Sequence, residues 1–160
     1  MSPFIEWFQL KQLQRTGWVR KGVENAESVA AHSWGMAVLA LELAPDELDL
    51  RRVLSLCLLH DLAEVRVGDL TPYDDTTTKE HDERIAMQSL APQWLELFED
   101  YQSQSSEEAK FVKQLDKLDM AIQSLVYEDK QGMNLQEFRD HAKQFISNSR
   151  LQAILEPSTS

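Results

Sequence analysis

The chain has 160 residues, with 16 Lys and Arg against 27 Asp and Glu, a net charge of −11. That length fits one domain burying about two-thirds of its unfolded surface, and the lone Cys57 excludes an internal disulfide scaffold. Binding a phosphate backbone needs clustered Lys and Arg, so the acidic balance, with no basic run, excludes a nucleic-acid groove.

The longest apolar run, Met36 to Leu41, stops at Glu42 and is too short to cross a bilayer. No basic segment followed by an apolar one marks a signal peptide. The expectation is a soluble cytoplasmic protein with no membrane partner. An anionic substrate would need a local attraction that the overall field does not supply, and a bound cation would give one.

Five glycines and no period-2 run of β-branched residues leave helices as the expected elements. Ser2-Pro3 reads as a cap and first-turn proline. Phe4, Trp7, Phe8 and Leu10 then form a helical stripe ending near Arg15-Thr16-Gly17. Arg15 to Ala26 reads as a loop. A second helix is expected from Ser28 to about Ala44, and a third from Leu50 to about Val65 with Asp49 as its cap. Gly68 to Thr78 is the clearest loop. A fourth helix follows from Lys79 to Leu90, and a short one from Pro92 to Tyr101. Ser105-Ser106-Glu107-Glu108 fits a capping box that opens the longest helix, to about Glu128. Asn134, with Glu137 three residues on, opens a last helix to about Ser149. No repeat or internal boundary is visible. The fold expectation is a compact all-α bundle over residues 1–155, with a disordered tail at 156–160.

Several polar residues fall where core residues belong. On the second helix His32 shares a face with Met36, Leu39 and Leu43. On the third, Leu50, Val53, Leu54, Cys57 and Leu58 form a stripe that Asp61 continues, with His60 beside it and Glu64 one turn on. On the long helix Asp116 stands between Val112 and Met120. A buried carboxylate needs a partner or a cation. Two imidazoles and two carboxylates on three helices suit one divalent ion such as Mn, Fe, Co, Ni or Zn. Taken singly, each residue also has a plain reading: His32 as a hydrogen-bonded core residue, His60-Asp61 as a surface pair, Asp116 as partner of Lys113 or Lys117. His81 and His141 stand among charges and read as surface residues.

Four segments together carry a resemblance. Ala30-Ala31-His32-Ser33-Trp34, Leu58-Leu59-His60-Asp61-Leu62-Ala63-Glu64, Gly68-Asp69-Leu70-Thr71-Pro72 and Lys113-Gln114-Leu115-Asp116-Lys117-Leu118 resemble the HD-domain phosphohydrolases. The nearest subgroup is the one that includes the bacterial 5′-deoxynucleotidase. The resemblance spans roughly Phe4 to Glu128. It implies an HD-domain helical bundle, a homodimer, and one divalent metal ion (Mn, Co, Fe, Ni, Mg or Zn) on His32, His60, Asp61 and Asp116. It further implies Glu64 and Asp69 as catalytic carboxylates. Arg15 corresponds to a phosphate-binding arginine, and Asp69, Thr71 and Trp18 join it as substrate contacts. Two departures stand out: Ala31 replaces a frequent Glu before the histidine, and Thr16 replaces an aromatic after the arginine.

The implied activity is metal-dependent hydrolysis of (deoxy)nucleoside 5′-monophosphates. Other readings remain open at this level: a phosphodiesterase or pyrophosphohydrolase on another nucleotide, a di-iron oxygenase of HD type, or a non-catalytic helical interaction module with a structural metal. The di-iron reading needs more ligands between Asp61 and Asp116, where the one histidine is His81.

Overall fold

A computed structural model describes residues 2–71 and 73–156. Their order is α1 (Pro3–Phe8), a 3-10 turn (Gln9–Lys11), α2 (Thr16–Arg20), α3 (Val29–Leu43), α4 (Leu50–Leu59), α5 (Glu64–Val67), α6 (Lys79–Leu90), a 3-10 turn (Pro92–Trp94), α7 (Leu95–Ser103), α8 (Glu107–Gln131), α9 (Gln136–Lys143) and α10 (Ser149–Leu155). The all-α expectation holds among the described residues; the one β-type pairing is an isolated bridge between Gln14 and Ser28.

Helix α8 is the axis. Its Val112, Leu115, Leu118 and Ala121 are fully buried against Met36 and Ala40 of α3, Val53, Leu56 and Cys57 of α4, and Ala142 and Leu151 of α9 and α10. A fully buried Leu or Met contributes roughly 1.5–3 kcal/mol, whereas an exposed pair such as Arg150–Glu42 contributes about 0–1. Packing therefore fixes α3, α4 and α8 against one another. Caps set where they begin: Ser28 Oγ accepts from the Ala31 N–H, Asp49 from Arg52, and Ser106 from Ala109.

Five expectations are corrected. Residues 15–26 contain a helix, α2, which winds because Trp18 buries itself against Tyr127 and Phe138, with ring centroids 5.2 and 4.5 Å away. The third helix stops at Leu59 and resumes at Glu64. Between them the chain makes three-residue turns, Leu62 N–H to Leu59 O at 3.1 Å and Glu64 N–H to Asp61 O at 3.0 Å. Leu50 and Leu58 of its stripe are exposed, because α8 and α3 meet the Val53–Leu56–Cys57 face instead. The Pro92–Tyr101 segment is a 3-10 turn followed by α7, which runs on to Ser103. The last helix is two, since Asn148 caps a fresh start at Ser149 with its side chain accepting from Arg150 and Leu151. Pro72 and residues 157–160 of the expected tail lie outside the described residues.

Candidate metal centre

The break after α4 is what brings the histidine-aspartate pair to one point. His60 caps α4 and donates Nδ1–H to the Cys57 carbonyl at 2.9 Å. That leaves Nε2 as the outward lone pair of the neutral ring. Asp61, first in the turn, swings back so that its Oδ2 lies 3.0 Å from His60 Nε2. From α3, His32 Nε2 lies 2.8 Å from Asp116 Oδ1 of α8 and 3.8 Å from Asp61 Oδ2. One donor atom from each of His32, His60, Asp61 and Asp116 falls within 4.8 Å of all the others.

This donor set fits a single divalent ion: two imidazole nitrogens and two carboxylates, the borderline combination. His60 Nε2 is buried without a hydrogen-bond partner, since Asp61 is near it but out of line. Buried polar atoms rarely go unmatched, so this orphan marks a place for a cation. Glu64 Oε2 is likewise buried and unpartnered.

Without an ion His60 holds a proton at neutral pH. Burial alone would lower His60, but Asp61 and Asp116 outweigh it and push its pKa up to about 10. His32 is also raised: burial and Arg15 oppose its charge, and Asp116 and Asp119 overcome them. The charged His60 stabilises the metal-free fold fully below pH 6.5, and that stability is lost as pH rises through about 10. A metal ligand must be deprotonated. Loading Zn²⁺ or Mn²⁺ at pH 8 is therefore expected to release at least one proton per ion, with affinity rising from pH 7 to 9. Calorimetry in two buffers of different ionisation heat reads the release; a binding heat independent of buffer would contradict it.

Around this point lies a cavity of about 610 Å³ whose wall includes Arg15, Glu64, Asp69, Thr71 and Trp18. Arg15 is carried there by the strand-like pairing of 13–15 with 27–29, Arg15 N–H to Glu27 O at 2.9 Å and Val29 N–H to Leu13 O at 2.7 Å. Its guanidinium is mostly covered and nearest to Asp69, at 4.0 Å. Burial disfavours its charge, but Asp116, Asp69, Asp61 and Glu64 hold it firmly protonated. The result is a fixed fork of donors beside the four-residue cluster, the geometry that suits a phosphate.

Glu64 is buried, and burial, then Asp61 and Asp69, raise its carboxyl well above the usual range. Asp69 is raised by burial as well, although Arg15 and the Thr16 N–H, 2.8 Å from its Oδ2, pull the other way. Thr71 reaches the cavity, but its hydroxyl accepts from Arg20 and bonds Asp74. Trp18 forms part of the wall, and its N–H donates to Glu27 at 3.0 Å.

Sequence reasoning missed several residues here. Asp119 bonds His32 Nδ1 at 2.6 Å. Glu83, pushed up to about 6 by burial against the pull of Lys79, also faces the cavity. Lys113 and Lys117 form another wall with His141, which is exposed as expected yet stands at the mouth. Asp119 carried a signal: it sits one turn beyond Asp116 on the same helix face. Glu83 and His141 carried none, because only the packing of α6 and α9 brings them to the cavity.

A family model described as HD domain matches residues 8–155. A protein of Mus musculus named 5′-deoxynucleotidase HDDC2 is 40% identical over 164 residues, covering 94% of this chain and 82% of that protein. Its Homo sapiens counterpart is 42% identical over 145 residues, covering 82% and 71%. Among solved structures, the PH0347 protein of Pyrococcus horikoshii OT3 superposes with a TM-score of 0.82 at 34% identity, covering 96% of this chain and 94% of that one.

Proposed function

The chain belongs to the HD-domain family of metal-dependent phosphohydrolases, and we propose that it is a 5′-deoxynucleotidase, hydrolysing deoxynucleoside 5′-monophosphates. The observation that carries this reading is Arg15, a charged and nearly unpartnered guanidinium held beside the His32–His60–Asp61–Asp116 cluster. The names of the relatives support the substrate.

In this reading His32, His60, Asp61 and Asp116 hold one divalent ion, whose identity among Mn, Co, Fe, Ni, Mg and Zn is left to the assay below. Such an ion supplies positive charge against a phosphoryl oxygen and makes water more acidic. The chain's own residues do the rest. Arg15 binds two phosphate oxygens and fixes the phosphorus in line for attack. Glu64 Oε2, without another partner, takes the proton of the attacking water. Asp69, anchored to Thr16 through Oδ2 and raised by burial, turns Oδ1 toward Arg15 and the sugar side, where in its acid form it gives its proton to the leaving O5′. The new bond is water oxygen to phosphorus; the bond broken is phosphorus to O5′, and the products are nucleoside and phosphate. Thr71 and Trp18 bound the sugar and base from the cavity wall.

The same reading treats residues 1–155 as one HD domain and the chain as a homodimer. Trp34, Val38 and Leu41 support the dimer: they share one face of α3 and are 68%, 43% and 64% exposed. A cytoplasmic location fits the buried free thiol of Cys57, and among the described residues no helix is long and apolar enough to cross a membrane.

The test is a phosphate-release screen on chelator-stripped protein resupplied with Mn, Co, Mg or Zn. Nucleoside 5′-mono-, di- and triphosphates and cyclic nucleotides are compared. The expected result is release from deoxynucleoside 5′-monophosphates that depends on added metal. Turnover confined to di- and triphosphates, or to cyclic nucleotides, would replace this reading with a pyrophosphohydrolase or a phosphodiesterase.

A further inference from the structure

His32 is gripped from both sides by one helix. Its Nε2 lies 2.8 Å from Asp116 Oδ1 and its Nδ1 lies 2.6 Å from Asp119 Oδ2, the two carboxylates being three residues apart on α8. The ring is fully buried and Asp119 nearly so. Asp119 fits there only because α3 has no side chain at the next turn. A Cβ built on Gly35, three residues after His32, would overlap Asp119 Oδ1 and stand 3.3 Å from its Cγ. Gly35 is helical, and its conformation does not demand glycine. The close approach of Asp119 does.

Glu27 also reaches this ring: one donor atom each from Glu27, His32 and Asp119 lie within 4.8 Å of one another. Its Oε1 is engaged by the Trp18 N–H at 3.0 Å, so Asp119 is the group bonded to Nδ1.

We propose that Asp119 is a positioning residue for the metal centre, fixing His32 with Nδ1–H turned away and the Nε2 lone pair facing the ion, and that Gly35 is present to admit it. The inference rests on His32 being a ligand. An acceptor behind a ligating imidazole fixes ring orientation and tautomer and makes the ligand nitrogen more basic; removing such partners typically weakens metal binding by about 10–100-fold. A neutral acceptor in place of Asp119 would orient the ring less firmly. A displaced Asp119 would let it tilt.

The test measures Zn²⁺ affinity by competition with a chromophoric chelator at pH 8, with no turnover involved. Asp119→Asn keeps the shape and is expected to fold, as its helical circular dichroism will show, and to bind roughly 10–100-fold more weakly. Gly35→Ala leaves every ligand in place and is expected to weaken binding in the same direction by displacing Asp119. The decisive arm is the double variant His32→Ala/Asp119→Asn. If Asp119 acts through His32, it binds no more weakly than His32→Ala alone. A merely structural Asp119 would lower the melting temperature and leave the affinity of Asp119→Asn within twofold of wild type, which overturns the inference. If His32→Ala itself binds as tightly as wild type, the metal-site reading fails first, and the inference falls with it.

Discussion

Asp61→Ala is expected to give a helical protein that retains no stoichiometric divalent ion after gel filtration and releases no measurable phosphate. Asp61 touches the cluster more than once: its Oδ2 is 3.0 Å from His60 Nε2 and 3.8 Å from His32 Nε2. It is also the cluster's most local member, placed by a turn in which Glu64 N–H bonds its carbonyl. That bond uses the backbone, so truncating the side chain leaves the turn intact. A further reason to expect folding lies in the charges. The metal-free site binds a proton on His60 against carboxylates on Asp61 and Asp116, with His60 pulling Asp61 far below the usual carboxylate range in spite of its burial. Removing Asp61 lets His60 shed its proton rather than stay buried as an unpaired charge, which limits the damage to stability. Its effect on catalysis has no such relief. Losing the ion removes several kcal/mol of charge stabilisation, and each ~1.4 kcal/mol is a factor of ten; the expected loss is at least about 10³-fold. Metal content by elemental analysis and phosphate release on the same sample decide it. Full activity in a metal-free Asp61→Ala protein would refute the site.

What the sequence showed of this site, and what it hid, divides along one physical line. His32, Asp61 and Asp116 were readable because polar residues on apolar helical stripes are expensive to bury, and that cost is visible in one dimension. The helix boundaries that depend on local caps, Ser28, Asp49 and Ser106, were readable for the same kind of reason. Features decided by contact between distant segments were not. The helix α2 forms because Trp18 finds Tyr127 and Phe138 more than a hundred residues away. The pattern from Leu50 to Val65 reads as continuous, yet His60 to Ala63 leave the helix, and there His60 Nε2 comes to 3.8 Å from Asp116 Oδ1 of α8. Gly35 looks like an ordinary helix-interior glycine, tolerated at about 1 kcal/mol, until Asp119 is seen in its place. The resemblance supplied the roles of Arg15, Glu64 and Asp69, which no stripe or cap would have revealed.

Glu64→Gln separates the ion from the proton transfer. Gln keeps the volume and one acceptor but cannot take a proton at Oε2. Metal content should stay at the wild-type level, because Glu64 is outside the four-residue cluster. Turnover should fall by about 10²–10⁴, the range that a general acid or base supplies. The same substitution should make the metal-free protein more stable at alkaline pH. Burial, Asp61 and Asp69 raise the Glu64 carboxyl in the fold, so folding favours its protonated form. An unfolded chain ionises it near the usual carboxylate value. The cost of keeping it folded therefore grows as pH rises above that value, and Gln, having no charge to bury, escapes it. Melting curves of metal-free wild type and variant should lie close together at pH 4.5 and separate at pH 8, with the variant higher. A group strained in the fold and needed for the rate is the pattern of a residue kept for function at the expense of stability. Loss of the metal in Glu64→Gln would instead make Glu64 a ligand, and activity within tenfold of wild type would remove it from the proton transfer.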